Sequence, residues 1–179
     1  SITAITSSNV ADVKILITNA TTAGIDTDWT VTLADASVLA ADFDTVAAGT
    51  TAAVTGTITA GAVTATLGAI TNVAVADVIT FTSTGASADA SDLVDLNAII
   101  DTPTFTSITG LTEASTTASF TTELTNAVAI TTGGAETIEI TGGAISAANA
   151  GTIGALTTGA VTMTITTGAV STVNAVIAN

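Results

Sequence analysis

The sequence predicts an all-β protein: a β-solenoid of about three ~53-residue units with short helical turns. Three observations lead there: an internal tandem repeat, short Thr- and Val-rich runs with period-two alternation, and Gly or Ala-Gly pairs that close those runs. A β-sandwich with strand exchange is the alternative packing of the same strands.

The repeat is the strongest of the three. Displacing the 179-residue chain by 107 positions lays residues 29–72 over 136–179 without a gap. Inside that match TTAAVTGTITAGAV at 50–63 meets TTGAVTMTITTGAV at 157–170, with 11 of 14 positions identical. The same displacement pairs Val31 with Ile138, Leu33 with Ile140, Val38 with Ile145 and Val46 with Ile153. A weaker copy lies at about half that distance, where 95–104 resembles 42–51 and 125–129 resembles 71–75. The expected organisation is an N-terminal strand segment 1–28, open to exchange with a neighbour, then repeats at 29–82, 83–135 and 136–179, the last truncated and uncharged.

Taken in order, Val10 to Thr18 reads as an apolar strand carrying Lys14. Trp29 to Leu33 and Glu136 to Ile140 alternate apolar with Thr or Glu, the pattern of a half-buried strand. Ser37 to Ala48 and Ser91 to Ile100 read as short helical pieces; in the second, Ser91 or Asp92 caps and Leu93, Leu96, Ile99 and Ile100 share one face. Ala53 to Thr59 and Val161 to Thr166 are β-branched strands.

Charge excludes whole classes of partner. Fifteen acids face one base, Lys14, for a net charge of −14. Binding to nucleic acid depends on Lys and Arg neutralising phosphates, so no nucleic-acid partner is expected. Hydrophobic residues make up 47% and mean hydropathy is +0.72, but Thr and Gly interrupt every apolar run, so no membrane insertion is expected either. Ser1 to Asn9 has neither a charged n-region nor an apolar h-region, so no signal peptide is expected. All eleven Asp lie between Asp12 and Asp101 and all four Glu between Glu113 and Glu139, leaving 140–179 without a charged side chain. An uncharged β-edge invites pairing, so cover by another chain or repeat is expected there.

DLNAIIDTPTFTSITG at 95–110 and ADFDTVAAGTTAAVTGTITAG at 41–61 resemble the Thr/Ala/Gly-rich tandem repeats of large secreted bacterial surface proteins, cyanobacterial ones especially. The texture is also similar to that of S-layer proteins exported by type I secretion. The resemblance implies extracellular, cell-surface or matrix material, in some cases calcium-dependent. The Gly-Gly-x-Gly-x-Asp calcium nonapeptide of such proteins does not recur here, so its metal sites are not carried over.

The chain has no His, Cys, Tyr or Arg, which removes Ser-His-Asp and Cys-His nucleophilic sites and the usual zinc sites. Paired carboxylates, Asp42 with Asp44 or Asp92 with Asp95, are the remaining catalytic apparatus, and no enzyme activity, catalytic residue or organic cofactor is expected. Calcium is the one expected cofactor: Asp26, Asp28, Asp42 and Asp44 supply hard oxygen ligands at short spacing. Lys14 is read as a strand lysine paired with one of the many acids, with an isopeptide bond to Asn126 or Asn174 as the rival reading. Asn19-Ala-Thr21 fits an N-glycosylation sequon. The expected function is an extracellular structural protein whose copies assemble by edge-to-edge β contacts into a filament, surface layer or matrix fibre. An adhesin or calcium-binding module of a larger secreted protein is the alternative, with rows of Thr on parallel strands as its binding face.

Overall fold

A computed structural model describes residues 3–24, 27–131 and 133–166. It overturns the expected fold class. The chain is mixed α/β, with six helices among the described residues and two wholly parallel sheets, so neither an all-β solenoid nor a β-sandwich is formed. The physical reason lies in the connections. Helices occupy most of the segments between strands, which an all-β coil does not contain, and the strands pair in parallel rather than as the antiparallel hairpins of a sandwich.

The chain divides into two compact units, 1–61 with 65–82 and 96–104, and 62–64 with 83–95 and 105–179. Unit 1 holds the five strands β1 (Ala4–Ser8), β2 (Thr30–Leu33), β3 (Val54–Thr57), β4 (Val78–Thr82) and β6 (Thr102–Thr104), side by side in that order. Unit 2 holds β5 (Ser87–Asp89), β7 (Gly110–Glu113), β8 (Thr137–Ile145) and β9 (Val161–Ile165), again in chain order. Partners recur at short intervals: Val31 pairs with Val54 and Thr55 with Val78 in unit 1, Ser87 with Gly110 and Ile138 with Val161 in unit 2, each 23 residues apart.

Helices fill the crossovers. α1 (Val10–Ala23) occupies the run expected to be a strand. Its β-branched residues cost a few tenths of a kcal/mol each as helix formers, roughly. Its ends offset that cost: the Asn9 side chain accepts from the Asp12 amide, and Gly24 closes the helix at φ 64°. Thr18, Thr21 and Thr22 turn their hydroxyls back onto carbonyls four residues earlier. α2 (Ala40–Ala48) and α4 (Ala90–Ile99) fall where short helices were expected. α3 (Val63–Ala69), α5 (Phe120–Thr131) and α6 (Ala147–Gly154) complete the set.

β2, β4 and the first part of β8 bury alternate residues. In unit 1 Val31, Leu33, Val54, Ile79 and Phe81 are buried, together with Val13, Phe43 and Val46 of α1 and α2. In unit 2 Leu111, Ile138 and Ile140 are buried, as are Phe120 and Leu124 of α5 and Ile153 of α6. Fully burying a Val, Leu, Ile or Phe side chain is worth roughly 1.5–3 kcal/mol. The segment 1–28 therefore contributes β1, paired with β2 of its own chain, and a 14-residue helix in place of one strand.

Candidate functional site

The 107-residue displacement found in the sequence is a structural equivalence. Val31 donates to the carbonyl of Ala53, and Ile138, its counterpart, donates to that of Ala160, both at 2.9 Å. Thr50 donates its hydroxyl to the Trp29 carbonyl at 2.7 Å and Thr157 to the Glu136 carbonyl at 2.6 Å. The hydroxyls of both threonines also accept an amide two residues on, from Ala52 and Gly159. The β2–α2–β3 segment of unit 1 and the β8–α6–β9 segment of unit 2 are thus the same structure built twice. β1 and β7 correspond as well, since Ile5 pairs with Val31 as Leu111 pairs with Ile138.

The sheets present two kinds of surface. On unit 1 the outward residues are mostly threonine: Thr32, Thr80, Thr82, Thr102 and Thr104 are exposed and Thr55 and Thr57 half-buried. Register places Thr57, Thr80 and Thr102 side by side and Thr82 beside Thr104, and the hydroxyls of Thr80 and Thr102 lie 3.0 Å apart. Strand spacing of about 4.8 Å and about 6.7 Å between alternate residues make this a regular grid of hydroxyl and methyl groups. The second surface is the sheet edges. β6 and β5 are three residues long, and carry Pro103, the only proline of the chain, and Asp89. Short length, proline and charge are the devices that blunt an edge against pairing. β1 and β9 are five residues each and contain neither charge nor proline. The charged residues all lie between Asp12 and Glu139, so both of these edges sit in uncharged stretches.

The acids expected to hold calcium are dispersed. Asp28 is exposed just before β2. Asp42 and Asp44 sit on α2, where a two-residue step turns side chains apart by about 200°. Asp42 pairs with Lys14 at 2.6 Å, and Asp44 accepts from the amide and the side chain of Asn72. Asp26 lies outside the described residues. Among the described residues no three acids gather as a metal group. Asp92 accepts from Thr64, and Asp95 is exposed on the same helix.

Lys14 lies on α1, in a helix where a strand was expected, and its ion pair with Asp42 is 40% and 30% exposed on the two sides. Asn126 is exposed on α5 and Asn174 lies outside the described residues. Asn19 of the sequon is an exposed residue of α1.

Three buried carboxylates went unnoticed in the sequence: Asp77, Glu113 and Glu136. Glu113, at the end of β7, is 1% exposed, and one of its oxygens has no partner among the described residues. Burial raises its carboxyl above the usual range; the Ser115 amide pulls the other way, and the charges of Asp89 and Glu123 add to the rise. Glu136 is 3% exposed. Burial pushes its carboxyl up too, but hydrogen bonds from the Thr131 hydroxyl at 2.6 Å and the Gly133 amide at 3.0 Å outweigh burial and hold it below the usual range. The signal available for Glu113 was its place as the fourth residue of an alternating GLTE run.

Comparison with protein-family models, curated proteins and solved structures finds no match to this chain.

Proposed function

We propose that the chain is an extracellular structural protein whose copies assemble into a filament, surface layer or matrix fibre through edge-to-edge β contacts. The observation that carries this reading is the contrast between blunted and unblunted edges. β5 and β6 are short and bear charge or proline, whereas β1 and β9 are longer and bear neither charge nor proline. The composition supports a non-catalytic role, because Ser-His-Asp and Cys-His nucleophilic sites cannot be assembled without His or Cys. Persistence outside cells is supported by Lys14 being the only trypsin site and by readily oxidised residues being limited to Met163 and Trp29. No helix among the described residues is long and apolar enough to cross a membrane.

Electron microscopy and sedimentation of the purified protein over a range of concentrations test this. Regular, concentration-dependent filaments or sheets are expected. Monodisperse particles at every concentration would overturn the assembly reading.

The threonine grid of unit 1 favours a second reading, an adhesin module that recognises an ordered hydroxylated surface such as a glycan. Under it, replacing Thr80 and Thr102 by Val abolishes retention on glycan arrays and leaves assembly intact. Millimolar calcium at constant ionic strength tests the calcium-binding form of that module: a melting shift reversed by chelator supports it, and no shift removes it.

A further inference from the structure

We propose that the outer edge of β9 of one copy accepts β1 of a second copy as an added parallel strand, joining copies head to tail. The inference rests on the assembly reading above and names the two surfaces that perform it.

Internal equivalence is the first support. β9 is the counterpart of β3, and the outer edge of β3 is covered by β4 in parallel register, Thr55 beside Val78. β1 is the counterpart of β7, and the outer edge of β7 is covered by β5, Ser87 beside Gly110. Among the described residues no strand covers the outer edge of β9 or of β1. Each open edge thus has the strand polarity of an edge that the same chain already pairs elsewhere; β1 differs from β7 in a register irregularity between Ile5 and Ser8.

Charge is the second support, and it selects a second copy as the occupant. With a net charge of −14, side-by-side approach of two copies brings like charges together. Residues 1–11 and 140–179 have no charged side chain, so β1 and β9 bring no charge of their own to such a contact. A contact between two different surfaces of identical chains is heterologous, and one that does not close into a ring propagates as a filament.

Register follows from the core-facing columns. Ile5, Val31 and Val54 form one column in unit 1, and Leu111, Ile138 and Val161 form its counterpart in unit 2. Setting Ile5 of the incoming strand beside Val161 continues the column, and puts exposed Thr6 beside exposed Thr162. Adjacent strands about 4.8 Å apart bring these two positions within disulfide reach.

The chain has no cysteine, so the double variant Thr6→Cys/Thr162→Cys reports this contact without background. Oxidation of assembled protein is expected to yield a ladder of covalent multimers on a denaturing gel, and either single variant none. Placing acids on the edge, Thr162→Asp with Thr164→Asp, is expected to raise the concentration needed for assembly at least about tenfold. Thr125→Asp on the exposed side of α5 should leave that concentration unchanged, with circular dichroism used to check that each variant is folded. Filaments indifferent to the edge acids, or a disulfide formed only within single chains, would overturn this contact while the assembly reading stands. Wild-type protein that stays monomeric at all concentrations would overturn both.

Discussion

Glu113 and Glu136 are both buried carboxylates, yet their surroundings drive them in opposite directions. Glu113 has a folded-state pKa raised by burial, so it binds its proton more tightly folded than unfolded. Its protonated form favours the fold in acid, and that contribution is lost as pH rises from the ordinary carboxylate range through its raised folded value. Glu113→Gln keeps an acceptor for the Ser115 amide and removes the charge. At pH 7 it is expected to stabilise the protein by about 1–2 kcal/mol, read as a higher denaturation midpoint, with the gain vanishing in acid. Glu136 behaves inversely. Its lowered pKa gives stability that is complete above the ordinary carboxylate value and lost as pH falls through the folded one. Glu136→Ala is expected to cost more at pH 7 than at pH 3, and equal losses at both would refute the hydrogen-bonding account. Thr157 makes the third prediction: Thr157→Val retains the volume but breaks the bonds to the Glu136 carbonyl and the Gly159 amide. A loss of about 1–3 kcal/mol is expected in urea unfolding.

The elements show how local chemistry overrides local propensity. α1 contains two Val, two Ile and three Thr in 14 residues, a strand-like composition. The cap at Asn9, the left-handed Gly24 and the burial of Val13 and Ala20 select helix instead. Asn9→Ala should therefore lower stability by about 1 kcal/mol, and far-ultraviolet circular dichroism should show helix lost before the sheet. β8 offers a second test. Gly142 packs against Ala114 so closely that an added Cβ would strike its carbonyl, and the neighbouring Gly143 holds φ 127°. Gly142→Ala is expected to destabilise by about 1–3 kcal/mol through backbone displacement. Alternating runs such as Trp29 to Leu33 identified β2 from sequence because period two reports one buried face directly. The same rule misread Val10 to Thr18, since a short apolar run is compatible with a buried helix as much as with a strand.

At the scale of the whole molecule, the acidic body sets the conditions for association. Raising ionic strength from 10 to 150 mM shortens the range of repulsion from about 30 Å to about 8 Å. The concentration required for assembly is therefore expected to fall with added salt, and a salt-independent threshold in sedimentation would contradict like-charge repulsion as its control. The sequence alone determined the repeat at 107 residues, the core-facing columns Val31/Ile138 and Leu33/Ile140, and the absence of charge from both terminal stretches. These follow from identity, periodicity and charge, which are local properties. Tertiary structure alone decided that the strands divide between two sheets, that α1, α3, α5 and α6 are helices, and that Asp28, Asp42 and Asp44 disperse while Glu113 and Glu136 are buried. Sheet membership and burial depend on which distant residues meet, and in a chain of Thr, Ala, Val and Gly many pairings satisfy the local pattern equally well until the helices pack.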